Sequence, residues 1–242
     1  MLNFAKNKIK SKYVIIFSDL VSLMLNTKKF ERTLIEVEKI VKVLIKNKNT
    51  IIIPTFNLNF PKTKKTSNDE KFITTGYLSK FLLKKFNFLR TSKPMYNYAV
   101  LGPNTKEILK LKQTTAWGKD SVLRFLSENS KTIGIGVNTS VFEFTWVTIH
   151  SCEEYLAVPY RFFKTFHGKN IITNKKVKER MFVRHLNKKE QNLKQYKILK
   201  NLVDKKKLIV KKGSHINYSV IYLKYYYLNN LKHVKKIVKK DI

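Results

Sequence analysis

Apolar and polar residues follow two different periods along the first part of the chain. Tyr13–Phe17 is a run of β-branched and aromatic residues, which is typical of a buried strand. From Lys28 onward, apolar residues recur at steps of three and four, which predicts a helix with one apolar face. The positions on that face are Phe30, Leu34, Val37, Val41 and Leu44. Thr50–Ile53 is a second strand-like run, and Pro54 stops it because proline has no N–H to donate to a ladder. Together these elements predict a parallel βαβ unit with a right-handed crossover.

The same reasoning predicts the elements of the remaining chain. Helices are expected over Gly76–Phe86, from Pro103–Asn104, over Val122–Leu126 with Ser121 as the N-cap, and over Phe144–Leu156, Lys189–Asp204 and Ile216–Leu228. Strands are expected at Tyr98–Leu101, Thr132–Val137 and Leu208–Val210, and the polar stretch Asn57–Asn68 is interpreted as a mobile loop. The predicted fold class is α/β, a three-layer sandwich with a mixed central β-sheet flanked by helices. We expect residues 1–242 to form a single domain.

The net charge of +34 is a reason to consider a nucleic-acid-binding protein, because clustered cations neutralise phosphates. Six of the 50 basic residues are Arg, so 44 are Lys, and the Lys residues are spread over nearly every segment. A surface dedicated to nucleic acid usually uses the planar Arg fork for phosphates and base edges. We therefore interpret most of the charge as a solvated face and expect no nucleic-acid partner. A field this positive still favours anionic small ligands and repels polycations.

Cysteine and histidine usage excludes some kinds of site. The single cysteine, Cys152, excludes an internal disulfide bond, and the five histidines lack paired ligand spacing, so we predict no metal. The apolar run Tyr13–Leu25 is interrupted by Asp19 and no small-residue cleavage site follows it, which argues against a signal peptide. No apolar stretch reaches the roughly 18 residues of a membrane span. The sequence therefore predicts a cytoplasmic protein.

One short segment, Thr148–Glu154, carries candidate chemistry. His150 and Glu153 are three residues apart, so on a helix their side chains share one face and are within contact distance. A carboxylate beside an imidazole orients the ring and supports its action as a general base. A His-x-x-Glu pair is common in sequences, and taken alone it more often has a structural or surface role.

Six motifs occur in one order along the chain. They are Thr50–Phe56 (TIIIPTF), Arg90–Pro94 (RTSKP), Gly102, Trp117–Ser121 (WGKDS), Ile135–Val137 (IGV) and His150–Glu153 (HSCE). Their order and spacing resemble the aminoglycoside 3-N-acetyltransferase family. Val158–Gly168 (VPYRFFKTFHG) and Ser18–Leu20 are similar to a branch of amino-sugar N-acetyltransferases found among cell-surface polysaccharide genes. The resemblance covers about residues 13–170, and residues 171–242 would be a C-terminal extension that completes the fold.

The resemblance implies direct acetyl transfer from acetyl-CoA to an amine in a ternary complex, without an acyl-enzyme. It implies that His150 is the general base and that Glu153 orients the imidazole. Ser18 and Thr55 follow the first two strands and are expected to bind the cosubstrate, and Arg90 is a candidate for its phosphates. A surface ion pair is an equal alternative for Arg90. The implied fold is that of the antibiotic N-acetyltransferases, not the common GNAT fold.

The expected acceptor is a small amino sugar. Aminoglycosides are polycations, which a chain with 16 acidic and 50 basic residues would repel. We therefore expect an anionic acceptor, such as a nucleotide-linked amino sugar or a glycan. Tyr160, Arg161 and Lys164 are candidates to meet its phosphates, and Asp19 is also expected in the substrate site.

The chain departs from the family pattern at three positions. Lys93 stands where the family usually has His, Asn97 where it often has Ser, and Phe17 where a His is expected. Two alternatives therefore stay open: a family member without turnover, and a non-catalytic basic protein that binds nucleic acid. A homodimer is also compatible with the sequence.

Overall fold

The computed structural model describes Ala5 and residues 9–138, 143–186, 200–202, 204–212 and 216–238. The strands are β1 Tyr13–Ser18, β2 Thr50–Pro54, β3 Lys65–Thr66, β4 Leu89–Arg90, β5 Tyr98–Leu101, β6 Thr132–Val137, β7 Arg161–Asn170, β8 Lys176–Arg184, β9 Leu208–Lys212 and β10 Asn217–Tyr222. The helices are α1 Thr27–Lys46, α2 Phe60–Thr63, α3 Tyr77–Lys85, α4 Thr105–Leu109, α5 Val122–Glu128, α6 Glu143–Tyr155 and α7 Leu223–Val238, with 3-10 turns at Val21–Leu23 and Glu70–Phe72.

The described strands form a main sheet in the order β4-β5-β2-β1-β6-β10-β9. β1 pairs in parallel with β2 on one side and with β6 on the other, so Tyr13 lies opposite both Thr50 and Thr132. β5, β4, β10 and β9 join in antiparallel pairs. The βαβ unit of β1, α1 and β2 is therefore present as predicted. α1 begins where the Asn26 side chain accepts a hydrogen bond from Lys29 N–H at 3.1 Å.

Helices cover both faces of this sheet. Successive residues of a strand point to opposite faces, so β1 contributes Val14 and Ile16 to one side and Tyr13 and Ile15 to the other. Val14 and Ile16 pack with the apolar face of α1 and with α3. Tyr13 and Ile15 pack with α4, α5 and the start of α7. The predicted three-layer α/β sandwich is confirmed.

A smaller sheet of β3, β7 and β8 lies beside the main one, and sequence reasoning missed it. β7 and β8 form a long antiparallel hairpin, and β3 adds to β7 in parallel. The interpretation of Asn57–Asn68 as a mobile loop is wrong, because it contains α2 and β3. Phe60 is fully buried and anchors the segment, and Thr66 Oγ1 donates to the Pro94 carbonyl at 3.0 Å.

The C-terminal part corrects one further expectation. The helix predicted over Ile216–Leu228 is wrong in its first half, because Asn217–Tyr222 is strand β10 and helix α7 begins only at Leu223. An interior strand is buried on both faces, so its sequence is a continuous apolar run. The periodicity of apolar residues cannot distinguish such a strand from a buried helix. The predicted strand at Leu208–Val210 is present within β9. Most of the helix predicted over Lys189–Asp204 falls outside the described residues. None of the described helices combines the length and the apolar character needed to cross a bilayer.

Candidate active site

His150 and Glu153 lie one turn apart on α6, and their side chains are in contact. His150 Nδ1 is 2.8 Å from Glu153 Oε2. The carboxylate side chain is 1% exposed and the imidazole side chain 21% exposed, so the pair spans the boundary between core and solvent. The i, i+3 spacing on a helix produces this contact. The ring is therefore accessible to a bound molecule, while the carboxylate that orients it is shielded from water.

Tyr160 and Arg161 complete the surroundings of Glu153. Tyr160 Oη donates to Glu153 Oε1 at 3.1 Å, and Arg161 Nε lies 3.0 Å from Oε2. The second contact is an ion pair without the alignment of a hydrogen bond. After α6 the chain reverses tightly, with Ala157 at a left-handed φ of 46° and Val158 N–H donating to the Glu153 carbonyl at 3.2 Å. This reversal returns the start of β7 to the carboxylate.

The contacts of Tyr160 and Arg161 differ from the expectation that both meet acceptor phosphates. Tyr160 is 4% exposed, and its hydroxyl is used by Glu153. Arg161 balances the charge of the same buried carboxylate, whose burial without a partner would be unfavourable. Both residues therefore act on Glu153, which in turn contacts His150.

An aromatic wall lies on the other side of His150. The Trp117 and His150 ring centroids are 5.4 Å apart with the planes tilted by 50°, and the Tyr96 ring packs on Trp117 at 4.4 Å. Ser151 Oγ donates to the Trp117 carbonyl at 2.8 Å, which ties this wall to α6. Burial, and next the nearby Glu179, raise the pKa of Tyr96 to about 12. Sequence reasoning used Trp117 only as part of a motif and gave Tyr96 no role.

Ser18 and Asp19 lie at the carboxyl edge of the parallel strands. β1 and β6 end side by side, with Ser18 opposite Val137, and Asp19 N–H donates to the Val137 carbonyl at 3.1 Å. Asp19 Oδ1 accepts from Val21 N–H at 3.1 Å, and Asn138 Nδ2 donates to the Asp19 carbonyl at 2.8 Å. α1 and α6, which follow these strands, lie on opposite faces of the sheet. Open α/β sheets bind ligands at such a switch point.

Thr55 and Arg90, which are expected to contact the cosubstrate, use their polar groups for hydrogen bonds inside the protein. Thr55 is fully buried, and its hydroxyl donates to the Asn97 side chain. Arg90 Nε and Nη2 donate to Asn97 Oδ1 at 3.1 and 2.9 Å, and the guanidinium also donates to the carbonyls of Thr55 and Asn68. Burial lowers the pKa of Arg90 to about 10. A guanidinium placed between β2, β4 and a loop takes internal acceptors because its buried donors need partners.

Lys164 lies on β7 at a cavity of about 450 Å³. Two phenylalanines of the same strand, Phe162 and Phe166, and His185 beyond β8 contribute aromatic surface to this cavity. Lys164 Nζ is 5.5 Å from the Phe166 ring centroid. The structure thus leaves this expected acceptor residue at an open, partly aromatic surface.

Sequence reasoning missed two carboxylates, one buried and one half-buried. Glu179 on β8 is fully buried, Oε2 accepts from Met95 N–H at 3.2 Å, and burial raises its pKa to about 7. Glu154 on α6 accepts from Thr115 Oγ1 at 2.5 Å, and burial raises its pKa as well. The Lys-Glu-Arg run at 178–180 looks solvent-exposed, and only the alternation of β8 turns Glu179 inward.

Nucleophilic and metal chemistry receive no support from the described residues. Cys152 is fully buried with Sγ 3.6 Å from the Tyr227 carbonyl, and burial raises the pKa of its thiol. No group of three His, Cys, Asp or Glu residues in the described part of the chain is arranged to hold a metal ion.

Several solved structures have the same fold as this chain. The YokD protein from Bacillus subtilis is 13% identical over 97% of this chain and 90% of its own, with a TM-score of 0.67. AAC-IIIb, as a binary complex with CoASH, is 11% identical over 96% of this chain and 93% of its own, with a TM-score of 0.69. AAC-VIa bound to sisomicin is 10% identical over 95% of this chain and 93% of its own, with a TM-score of 0.68. No curated protein sequence matches the chain.

A family model described as aminoglycoside 3-N-acetyltransferase matches residues 39–225. This match and the fold define an acetyl-CoA-dependent N-acetyltransferase, which confirms the predicted fold, enzyme class and cosubstrate. The chain belongs to the aminoglycoside 3-N-acetyltransferase family.

Proposed function

We propose that this enzyme transfers an acetyl group from acetyl-CoA to the amine of an anionic amino sugar, with His150 as the general base. The contact of His150 Nδ1 with the buried Glu153 carboxylate carries the proposal. With Nδ1–H donated to the carboxylate, the lone pair of Nε2 is left for an incoming amine. Tyr160 and Arg161 hold Glu153 in place through the contacts described above.

The reaction follows from the position of His150. As the amine nitrogen forms its bond to the acetyl carbon, the amine proton passes to His150 Nε2. The carbon–sulfur bond of the thioester breaks, and the imidazolium returns the proton to the departing sulfur. Glu153 stabilises the imidazolium by the negative charge of its carboxylate, which is shielded from water. Holding both substrates in one orientation supplies a further share of the rate enhancement.

For the cosubstrate, we propose the carboxyl edge of β1 and β6, near Ser18. Ser18 is partly exposed and lies where the strand order reverses, so its hydroxyl is available to a ligand at this edge. Thr55 and Arg90 stabilise this edge from inside the protein through their hydrogen bonds to the Asn97 side chain. Asp19 shapes the same edge by capping the turn at Val21 and stays a candidate for the substrate site.

The anionic acceptor is supported by electrostatics. The chain carries 50 basic and 16 acidic residues, so its field attracts anions and opposes the approach of a polycation. Lys164 lies beside aromatic surface on the face of β7 opposite to Thr165 and His167, and it stays a candidate for a separate contact with the anionic acceptor. A cytoplasmic location and a single domain over residues 1–242 stay predictions of the sequence.

Acetyl transfer to a panel of amines tests the acceptor class. Release of free coenzyme A is measured with a nucleotide-linked amino sugar, a neutral amino sugar and a polycationic aminoglycoside at equal ionic strength. We expect the highest kcat/KM for the nucleotide-linked sugar. A preference for the aminoglycoside at neutral pH would contradict the proposal.

Two pairs of measurements test the role of His150 and Glu153. His150→Ala should abolish transfer while acetyl-CoA still raises the melting temperature, because the base is removed and the cosubstrate edge is intact. Glu153→Gln should lower kcat strongly, and Glu154→Gln on the same helix is the matched control, since Glu154 does not contact His150. Unchanged rates in His150→Ala would remove the proposed base.

The same experiments separate the alternatives. A family member without turnover is stabilised by acetyl-CoA but transfers no acetyl group to any amine in the panel. A basic nucleic-acid-binding protein is not stabilised by acetyl-CoA and binds nucleic acid with an affinity that falls steeply with salt.

A further inference from the structure

A cleft of about 610 Å³ lies beside β8, and we call it the basic cleft. Three chain segments frame it: the turn before Pro94, the loop that follows α4, and the β7–β8 hairpin. The charged side chains that line it are all basic: Lys93, Lys112, Lys178 and Arg180, with His167 beside them. In a chain with lysine on nearly every surface, a concave site that collects positive charge from three segments differs from a solvated convex face.

The strand register of the hairpin sets two of these cations side by side. Lys178 and Arg180 are two residues apart on β8, so they share one face, and they lie opposite His167 and Thr165 of β7. The Arg180 guanidinium carbon is 4.1 Å from the Phe163 ring centroid, and this stacking limits the orientations of its plane. The hairpin thus contributes a fixed guanidinium and an ammonium to one wall of the basic cleft.

Hydrogen bonds hold the other two walls against β8. Ala116 N–H donates to the Arg180 carbonyl at 3.0 Å, which fixes the loop that follows Lys112. Met95 N–H donates to the buried Glu179 at 3.2 Å, which fixes the turn that carries Lys93. These contacts hold the backbone segments that carry Lys93 and Lys112 against β8.

Negative charge does not neutralise the basic cleft from within. No carboxylate lines it, and within the described residues Lys93, Lys112 and Lys178 form no ion pair. Glu179 lies near Lys93 behind the wall, fully buried. Two further carboxylates lie close to the lining: Asp120 accepts a hydrogen bond from Thr114 N–H at 2.9 Å, and Glu154 interacts electrostatically with Arg180. Because no carboxylate forms part of the lining itself, the cations of this concavity favour a multivalent anion.

The basic cleft adjoins the His150 site through one short segment. Thr114 lines the cleft, and Trp117, whose ring packs on His150, follows three residues later. Three residues span at most about 11 Å of chain. A ligand anchored in the cleft must extend about this far, past the buried Trp117, for its far end to meet the imidazole.

We propose that the basic cleft binds the diphosphate of a nucleotide-linked amino sugar and so directs the sugar amine to His150. The inference rests on the proposed function and specifies how the acceptor is recognised. Coenzyme A also carries a diphosphate, which is the same chemistry from a second source. We assign the cleft to the acceptor because the coenzyme is expected at the carboxyl edge of β1 and β6.

Two double variants, each replacing two lysines by glutamine, test the site. In Lys93→Gln/Lys178→Gln, two cations of the cleft are removed, and the matched control Lys39→Gln/Lys46→Gln removes two exposed charges of α1. Pyrophosphate binding is measured by calorimetry at fixed ionic strength, and KM is measured for the nucleotide-linked amino sugar and for acetyl-CoA. We expect pyrophosphate affinity to fall about tenfold or more and the acceptor KM to rise about tenfold or more in the cleft variant only.

Each other outcome overturns a defined part of the argument. If KM rises for acetyl-CoA and not for the acceptor, the cleft serves the coenzyme and the inference is wrong. If the control variant changes pyrophosphate binding as much as the cleft variant does, the overall field binds the anion and the inference is wrong. Loss of pyrophosphate binding in the cleft variant of a protein that acetylates no amine would support the anion site and refute the proposed function instead.

Discussion

Replacing Glu179 by Gln should stabilise the protein, and increasingly so as the pH rises. Glu179 is fully buried on β8, and its Oε1 has no hydrogen-bond partner within the described residues. Burial raises the pKa of this carboxyl group to about 7, although Lys93 and the N–H groups of Met95 and Tyr96 act in the opposite direction. Glutamine keeps the shape and an oxygen for Met95 N–H, and it cannot ionise.

The pKa shift sets the magnitude and the sign of the effect. The pKa rises from 4.5 to about 7, and each unit corresponds to about 1.4 kcal/mol, so the ionised form costs the folded state about 3 kcal/mol. The folded pKa is raised, so the contribution to stability is complete below about pH 4.5 and is lost as the pH rises through 7. Between pH 5 and pH 8, the advantage of Glu179→Gln should therefore grow by about 2 kcal/mol.

Urea denaturation at several pH values between 5 and 8 measures this difference. Glu31→Gln, which removes an exposed carboxylate of α1, is the control and should show no such trend. A difference between Glu179→Gln and the native chain that stays constant from pH 5 to pH 8 would refute the reasoning. A destabilisation that grows with pH would show that the ionised carboxylate has a stabilising partner.

Three further predictions concern backbone strain, thiol reactivity and the support of Glu153. Gly102→Ala should lower the free energy of unfolding by more than about 1 kcal/mol, since φ is +131° and a Cβ would lie 2.5 Å from a backbone carbonyl oxygen. Gly76→Ala, at φ +99° but in open space, should cost less; equal losses in urea titrations would contradict the steric account. Cys152 should react with a thiol reagent only after unfolding, because it is buried and its pKa is raised. Tyr160→Phe should lower the free energy of unfolding by about 1 kcal/mol and lower kcat. If neither value changes, the hydrogen bond to Glu153 contributes to neither stability nor catalysis.

The sequence predicted the parallel core and the His150–Glu153 contact because both depend on local periodicity. Helical spacing alone places His150 over Glu153, and the apolar runs of β1 and β2 define strands without reference to distant residues. The β7–β8 hairpin was missed because its residues are largely exposed and rich in lysine, so they lack the apolar run of a core strand.

Long-range contacts explain why the sequence did not predict the partners of several candidate site residues. Thr55 and Arg90 were expected to face a ligand, but Asn97 on the neighbouring loop takes their donors, and this pairing has no local signal. Likewise, the reversal at Ala157 turns Tyr160 and Arg161 back toward α6. Sequence spacing fixes which residues are neighbours on one element, whereas the partner of a buried polar group is fixed by tertiary packing.

β7 runs from Arg161, which pairs with Glu153, to the basic cleft, which is the proposed acceptor site. Arg161 at its first position pairs with Glu153, and His167, six residues along the same strand, faces the basic cleft. At about 3.3 Å per residue the two points are roughly 20 Å apart on one hydrogen-bonded strand, so we expect a shift of the hairpin at one end to move the guanidinium at the other. If this coupling exists, amide hydrogen exchange along β7 should become slower after the acceptor binds. His150 would then be held most firmly in the acceptor-bound enzyme.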